Sequence, residues 1–299
     1  MFLRSFSKES KARTEHVFTD AILISKFQQT DDGLFDDIIY GDMKEVDEAI
    51  KSYIHGHNNF WSSIGHSLLA NAASNGLVEL VQLILKNADT NNIAALPQFH
   101  NLLLIACIDE YVEIVQLLLV YGFDPNKIGK DRRGDDETCL YYACREGNMP
   151  IVELLIKYGA DPNMYCPDAG PPLLGASMNG HYGAVKLLLE HGAKVDLTPP
   201  DNYTALDYAC SNGFSEVVEI LLEYGADINY INSDGDTPLI SLVECLSHEE
   251  AVPLIRLMLA NGADSSIVNN KGKTAIDYVA EGSEIARLIT DAQLEHILK

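Results

Sequence analysis

The feature that most constrains this chain is that it repeats itself. The string YGADPN ends at Asn163, HGAKVD at Asp196, YGADIN at Asn229 and NGADSS at Ser265, and an earlier copy, YGFDPN, ends at Asn126. The glycines inside these strings are Gly122, Gly159, Gly192, Gly225 and Gly262, spaced by 37, 33, 33 and 37 residues. A period of this length makes each copy one supersecondary unit. Such a unit cannot bury an apolar face by itself, so neighbours must stack in a row and share their cores.

Each string closes a longer pattern. The clearest copy runs TCLYYACREGNMPIVELLIKYGADPN from Thr138, with others from Pro171 and Thr204. Thr or Ser ahead of the first apolar residue is a helix N-cap signal. The first helix then carries a small-residue pair: Ala72 and Ala73, Ala106 and Cys107, Ala143 and Cys144, Ala176 and Ser177, Ala209 and Cys210. Small side chains there let neighbouring helices approach closely. Gly76, Gly147, Gly180 and Gly213 fall between the two helices, where a turn with positive φ is cheap for glycine alone. The second helix has an apolar stripe at helical spacing, as in Val152, Leu155 and Ile156.

These residues resemble the ankyrin repeat, whose pattern TPLHxAAxxGHxxVVxLLLxxGADVN recurs over about 33 residues. Weaker copies begin at Ser67, Asn101, Thr237 and Thr274, and LFDDIIYGDMKEVDEAI from Leu34 fits a degenerate first copy. The resemblance implies an all-α solenoid of helix-turn-helix units joined by hairpins or loops. About eight units are expected, near 27–61, 62–95, 96–132, 133–165, 166–198, 199–231, 232–268 and 269–299. Residues 1–26 precede them, and HVFTDAILISKFQQ could form a short amphipathic capping helix.

Departures from the pattern carry information. Four extra residues fall between Asn126 and Thr138, in KIGKDRRGDDE, which extends a hairpin finger that is basic first and acidic after. Either its charges compensate one another, or it touches a partner. A second insertion, around ECLSHEEAVP, is expected to lengthen the turn between helices and to put Pro253 in the first turn of the second helix. The family's His is missing from every copy, replaced by Ala70, Leu104, Tyr141, Leu174, Asp207, Ile240 and Asp277.

Composition limits function. The chain has 21 basic against 44 acidic residues, a formal charge of −23. Such a surface repels phosphate backbones and anionic lipid, which argues against nucleic acid. No apolar run is long enough to span a bilayer, and the N-terminus lacks a signal-peptide core. The six cysteines fit no CxxC pair and no Cys/His zinc pattern, and a reducing, cytoplasmic setting is the simpler reading. Cys107, Cys144 and Cys210 share the small buried slot, whereas Cys166 and Cys245 are expected to be the exposed thiols. No GxSxG, Walker loop, GxGxxG or HExxH occurs, and His55 and His57 are a lone pair without a carboxylate. No enzyme, metal or cofactor is expected.

What the resemblance implies instead is binding of another protein through hairpin tips and the exposed side of the first helix. Carried over copy by copy, the candidate residues are His100, Ile108 and Asp109; then Arg132, Arg133, Asp135, Glu137, Arg145 and Glu146. Asp168, Met178 and Asn179 follow, then Asp201, Tyr203, Ser211 and Asn212, and last Asp234, Asp236 and Glu244. This acidic, concave set would suit a basic surface or peptide, with the chain a monomeric adaptor or effector. Tyr142, Tyr208 and Tyr278 recur at one position and are read as inter-repeat packing. The irregular style resembles ankyrin proteins that intracellular bacteria or viruses deliver into a host cytosol. Two other classes remain open: an enzyme or enzyme regulator with Cys/His chemistry inside the array, and a self-associating scaffold.

Overall fold

The computed structural model describes residues 43–56, 64–88, 99, 101–200, 202–246 and 248–297. The expected N-terminal helix, the start of the first copy, His57, His100 and Asp201 lie outside the described residues. Among those described there are 14 α-helices and one two-stranded hairpin. They fall into two compact units, Met1–Phe123 and Asp124–Lys299.

The first unit holds α1 (Met43–Gly56), α2 (Ile64–Ser74), α3 (Val78–Asn87), α4 (Leu102–Ile108) and α5 (Val112–Val120). Here α2 packs on α3 and α4, and α3 on α1 and α5. The small pairs Ala72–Ala73 and Ala106–Cys107 are buried, as the spacing predicts. The Asn87 amide donates to Asp47 Oδ1 at 2.7 Å and to the Leu83 carbonyl at 2.9 Å, tying α1 to α3.

In the second unit the hairpin comes first: β1 (Gly129–Lys130) pairs antiparallel with β2 (Asp136–Glu137). Helix pairs follow: α6 (Cys139–Glu146) with α7 (Met149–Lys157), α8 (Pro172–Met178) with α9 (Tyr182–Glu190), and α10 (Ala205–Ser211) with α11 (Ser215–Glu223). Then come α12 (Pro238–Cys245), α13 (His248–Ala260), a 3-10 turn (Ala275–Tyr278) and α14 (Glu284–Ile297). The first members form one row, α6 on α8 on α10 on α12 on the 3-10 turn. Among the second members, α7 packs on α9, α9 on α11, and α13 on α14. The core lies between the rows, with Val152, Leu155, Val185, Leu188, Val218 and Leu221 fully buried.

The local chemistry follows the sequence. Thr138 and Thr237 cap α6 and α12 through Oγ1, accepting from the Tyr141 N–H at 3.1 Å and the Ile240 N–H at 3.3 Å. Thr204 and Asp207 form a reciprocal capping box on α10. The aspartates that stand at the family's histidine position therefore have a role: Asp207 accepts from Thr204, and Asp277 accepts from Thr274 in the same way. Pro253 departs from expectation. The second insertion is spent on an extra helical turn, so α13 has 13 residues where α7, α9 and α11 have 9, and the proline sits inside it. Lacking an N–H, it gives up one hydrogen bond there.

Two devices join successive helix pairs. The first is a side chain seated on a glycine. Gly147 is left-handed at φ 71°, and an added Cβ would lie 2.5 Å from His181 Nδ1, while His181 Nε2 bonds the Arg145 carbonyl at 3.0 Å. Phe214 sits on Gly180 in the same manner. The second is an asparagine clamp. The Asn126 amide donates to the Gly159 carbonyl at 3.0 Å and accepts from the Asp161 N–H at 2.7 Å. Asn163 does this to Gly192 and Lys194 at 3.0 and 2.7 Å, and Asn229 to Gly262 and Asp264 at 3.3 and 2.7 Å. At the remaining rung the residue is Asp196, which accepts from the Asp227 N–H at 3.3 Å through both oxygens. A carboxylate has no donor for the Gly225 carbonyl, and burial together with the Asp227 charge raises its pKa.

Two stability outcomes are expected. Gly159→Ala meets open space and should lose about 1 kcal/mol through left-handed strain alone. Gly147→Ala must also displace His181 and should lose roughly 1–3 kcal/mol more, read from urea midpoints; equal losses would contradict the seating role. Asp196→Asn completes the clamp and should gain about 0.5–1.5 kcal/mol near neutral pH in the same assay.

Candidate functional site

The face to be judged is the outward side of α6, α8, α10 and α12, with the loop tips that precede them. On the helices the candidates are accessible in varying degree. Glu146, Asn179, Asn212 and Glu244 are exposed, while Arg145, Met178 and Ser211 are half-buried. In the first compact unit Ile108 and Asp109 are half-buried at the end of α4. His100 and Asp201 fall outside the described residues.

The finger acids behave differently from a free acidic surface. In the hairpin, Lys130 pairs with Asp136 at 2.5 Å, and Arg133 pairs with Asp131 at 3.0 Å, Asp135 at 3.3 Å and Glu137 at 3.6 Å. Asp131 Oδ1 also accepts the Arg133 and Asp135 N–H groups at 2.8 and 2.9 Å, closing the turn. The charges of this insertion thus compensate one another. Glu137 needs correcting as a contact residue: it is 1% exposed. Its carboxylate accepts from Arg145 Nη1 at 2.5 Å, and burial raises its pKa while Arg145 pulls it back.

Further along, several fingers grip the next. Asp168 Oδ2 accepts the Asp136 N–H at 3.0 Å. Asp234 accepts a short hydrogen bond from the Tyr203 hydroxyl, and that bond, more than burial, pushes the phenol's pKa up. Asp236 is the second correction. It is 4% exposed, and its Oδ1 accepts from the Asn269 amide at 2.6 Å, an amide that also donates to the Tyr278 hydroxyl at 2.8 Å. Asn232 Oδ1 closes the finger by accepting the Asp234 and Asp236 N–H groups, both at 3.0 Å. Even Glu244 pairs with Lys271 at 3.0 Å.

The recurring tyrosines, read above as inter-repeat packing, each also meet a cation or ring of their own repeat. Arg145 lies over the Tyr142 ring at 4.8 Å, Tyr208 meets Tyr203 at 5.8 Å, and Lys273 lies over Tyr278 at 4.7 Å. All three rings are half-buried, so each presents an edge on the same face. Sequence reasoning left them out of the candidate set, together with Lys271 and Lys273. Their recurrence at one position was the signal that could have placed them there.

The cysteines fit chemistry poorly. Cys166 is fully buried, contrary to its expected exposure, because its N–H and carbonyl pair with Gly170 across a tight loop at 3.3 and 2.7 Å. Burial raises its pKa, which disfavours a thiolate. Cys245 is exposed as expected. No group of three or more potential metal ligands occurs among the described residues. No helix among them is long and apolar enough to cross a membrane.

One carboxyl has a measurable consequence. Asp207 is buried in the first turn of α10, and burial pushes its pKa up to about 6, against the donors of Thr204. Its Oδ1 and the Asn232 Nδ2 are both buried without a hydrogen bond. The folded chain therefore holds this proton more tightly than the unfolded chain. Stability should fall as pH rises from about 4 to about 6, by on the order of 2 kcal/mol from this group. Asp207→Asn keeps the acceptor for Thr204 and should remove that fall; urea midpoints across this range, compared with wild type, check it.

Comparison with known proteins agrees with the geometry. The family model for ankyrin repeats in three copies matches residues 69–166 and again 140–232, together more than half of the chain. The crystal structure of the human ASB11 ankyrin repeat domain superposes with a TM-score of 0.58 at 26% identity, covering 75% of this chain and 96% of that one. A search of curated proteins finds no match. Paired helices in two rows, glycine turns, clamped loops and the family match together establish that this chain belongs to the ankyrin-repeat family, whose members are as a rule protein-interaction scaffolds.

Proposed function

We propose that the chain is a protein-binding adaptor or effector, without catalytic activity of its own, and that the exposed side of α6, α8, α10 and α12 is its contact face. The observation that carries this reading is a row of half-exposed rings and flexible apolar groups set on a hydrogen-bonded platform. Tyr142, Met178, Tyr203 and Tyr208 form the row, and Glu146, Asn179, Asn212 and Glu244 stand beside it. Rigid aromatic anchors with adaptable polar neighbours favour protein contacts, since little side-chain entropy is lost on docking.

Burial of Glu137 and Asp236 narrows the acidic character of this face, and finger-to-finger bonds occupy Asp168 and Asp234. The partner we infer still presents basic groups, meeting Glu146 and Glu244, but its apolar contacts with the ring row supply most of the affinity. The array binds as a monomer in the cytoplasm, of its own cell or of a host. The repeats partition as the sequence suggests, about eight in all.

Affinity capture with paired variants tests this. Met178→Arg with Asn212→Arg alters the row and its polar border, and Lys186→Glu with Glu190→Lys changes the exposed side of α9 as a control. Partners recovered by wild type and control should be lost, about tenfold or more, with the row variant. Equal recovery by all three would remove this face from the account.

A further inference from the structure

The tyrosine that recurs on the inner row meets a cation of the chain itself in the α6 repeat and in the last one. In the α6 repeat the Arg145 guanidinium lies 4.8 Å from the centre of the Tyr142 ring. In the last repeat the Lys273 and Lys271 ammonium groups lie 4.7 and 5.8 Å from the centre of the Tyr278 ring. Arg145 comes one helical turn after its tyrosine, and Lys273 stands in the loop ahead of its own. The corresponding places around Tyr208 hold Ser211 and Tyr203.

Beside Tyr208 the chain thus sets a second ring and negative charge. The Tyr208 and Tyr203 ring centres are 5.8 Å apart with planes tilted by 43°, and both rings are half-buried. The Tyr203 hydroxyl donates to Asp234 Oδ2, which fixes an exposed carboxylate of the next finger at the edge of the ring pair. That hydrogen bond, then burial, then the charges of Asp234, Asp236 and Asp207 push the Tyr203 phenol's pKa up, so the hydroxyl stays a donor. A carboxylate has roughly four acceptor positions on its two oxygens, and the hydroxyl uses one of them. Ser211 and Asn212, next along α10, are neutral and do not repel a cation.

We propose that Tyr203, Tyr208 and Asp234 form a site for an arginine side chain of the partner protein, which takes in the α10 repeat the place that Arg145 takes in the α6 repeat. The site lies on the contact face proposed above, depends on that reading, and adds what the partner inserts there. Arg145 is the template. Its guanidinium lies on the Tyr142 ring while Nη1 meets Glu137 at 2.5 Å and Nε meets Glu146 at 2.9 Å. A planar fork covers a ring and reaches a carboxylate at the ring's edge in one pose. An ammonium is a compact, strongly hydrated point charge and satisfies the two less well together.

The test uses the full chain with carbon-13 in its tyrosine rings, observed by NMR, and a short Gly/Ser peptide with a single central Arg. Matched peptides carry Lys, or citrulline, which keeps the shape of arginine without its charge. The Arg peptide should shift the Tyr203 and Tyr208 ring signals saturably. The Lys peptide should bind about threefold more weakly and the citrulline peptide about tenfold or more. Tyr208→Leu removes a ring face, and Asp234→Asn keeps an acceptor for the Tyr203 hydroxyl without the charge. Each should weaken the Arg peptide about threefold to tenfold, while Glu223→Gln on the exposed side of α11 leaves it unchanged. Ser211→Arg supplies the guanidinium from within and should displace the peptide. Circular dichroism confirms that all four variants fold. No saturable shift, equal binding of the three peptides, or full binding to the Ser211→Arg chain would overturn the proposal. Partner capture separates the site from the face that carries it. If Met178→Arg with Asn212→Arg loses partners that Tyr208→Leu and Ser211→Arg both keep, the arginine site is wrong and the face stands. If all three keep them, both are wrong.

Discussion

Everything in this structure depends on what happens where one helix pair meets the next. A pair of helices of about nine residues has too little apolar surface to offset its own chain entropy, so the joint between pairs decides whether the chain folds. The joint is made twice over. At the turn, a ring from one pair lies against a glycine of its neighbour, close enough that a methyl group would collide, as His181 does with Gly147. At the loop, an asparagine reads the donor and acceptor of its neighbour's backbone together, as Asn126 does with Gly159 and Asp161. One contact demands shape and the other demands a side-chain amide, and between them they fix spacing and register.

That dependence explains which parts of the molecule were legible in the sequence. Positions whose requirement is local and recurs once per repeat could be read directly. Thr138, Thr204 and Thr237 cap their helices, and Ala143, Cys144, Ala209 and Cys210 fill the tight slot between neighbouring helices. Positions defined by an insertion could not, because no other repeat shows what the extra residues do. Glu137 lies in the extended finger, and only the fold brings Arg145 under it. Cys166 sits in a loop, which suggests exposure, but that loop folds tightly on Gly170. Asp234 and Asp236 look alike in sequence, yet one is exposed and bonded to Tyr203 while the other is buried on Asn269.

The finger acids also qualify what a strongly negative chain tells its reader. A charge of −23 suggests an acidic binding surface, but formal charge does not say which carboxylates are free to meet a partner. Along these fingers the carboxylates serve as acceptors for backbone N–H groups, a tyrosine hydroxyl, an asparagine amide and nearby cations. The more distinctive content of the face is its rings. They recur at one position, but each leans on a different neighbour: a guanidinium at Tyr142, another tyrosine at Tyr208, an ammonium at Tyr278. A regular scaffold thereby presents an irregular surface, which is what selective recognition requires.

The aspartate at position 196 has a mechanical consequence. A stacked array transmits tension from one end to the other through its joints in series, and the weakest joint sets where it yields. Three rungs of the loop ladder are held by an amide that both gives and receives, whereas this one only receives, at longer distance. Of these four rungs, the one between α9 and α11 gives way first if the second compact unit is stretched or threaded into an unfolding machine. Two shorter stacks would then separate as blocks, each still internally clamped.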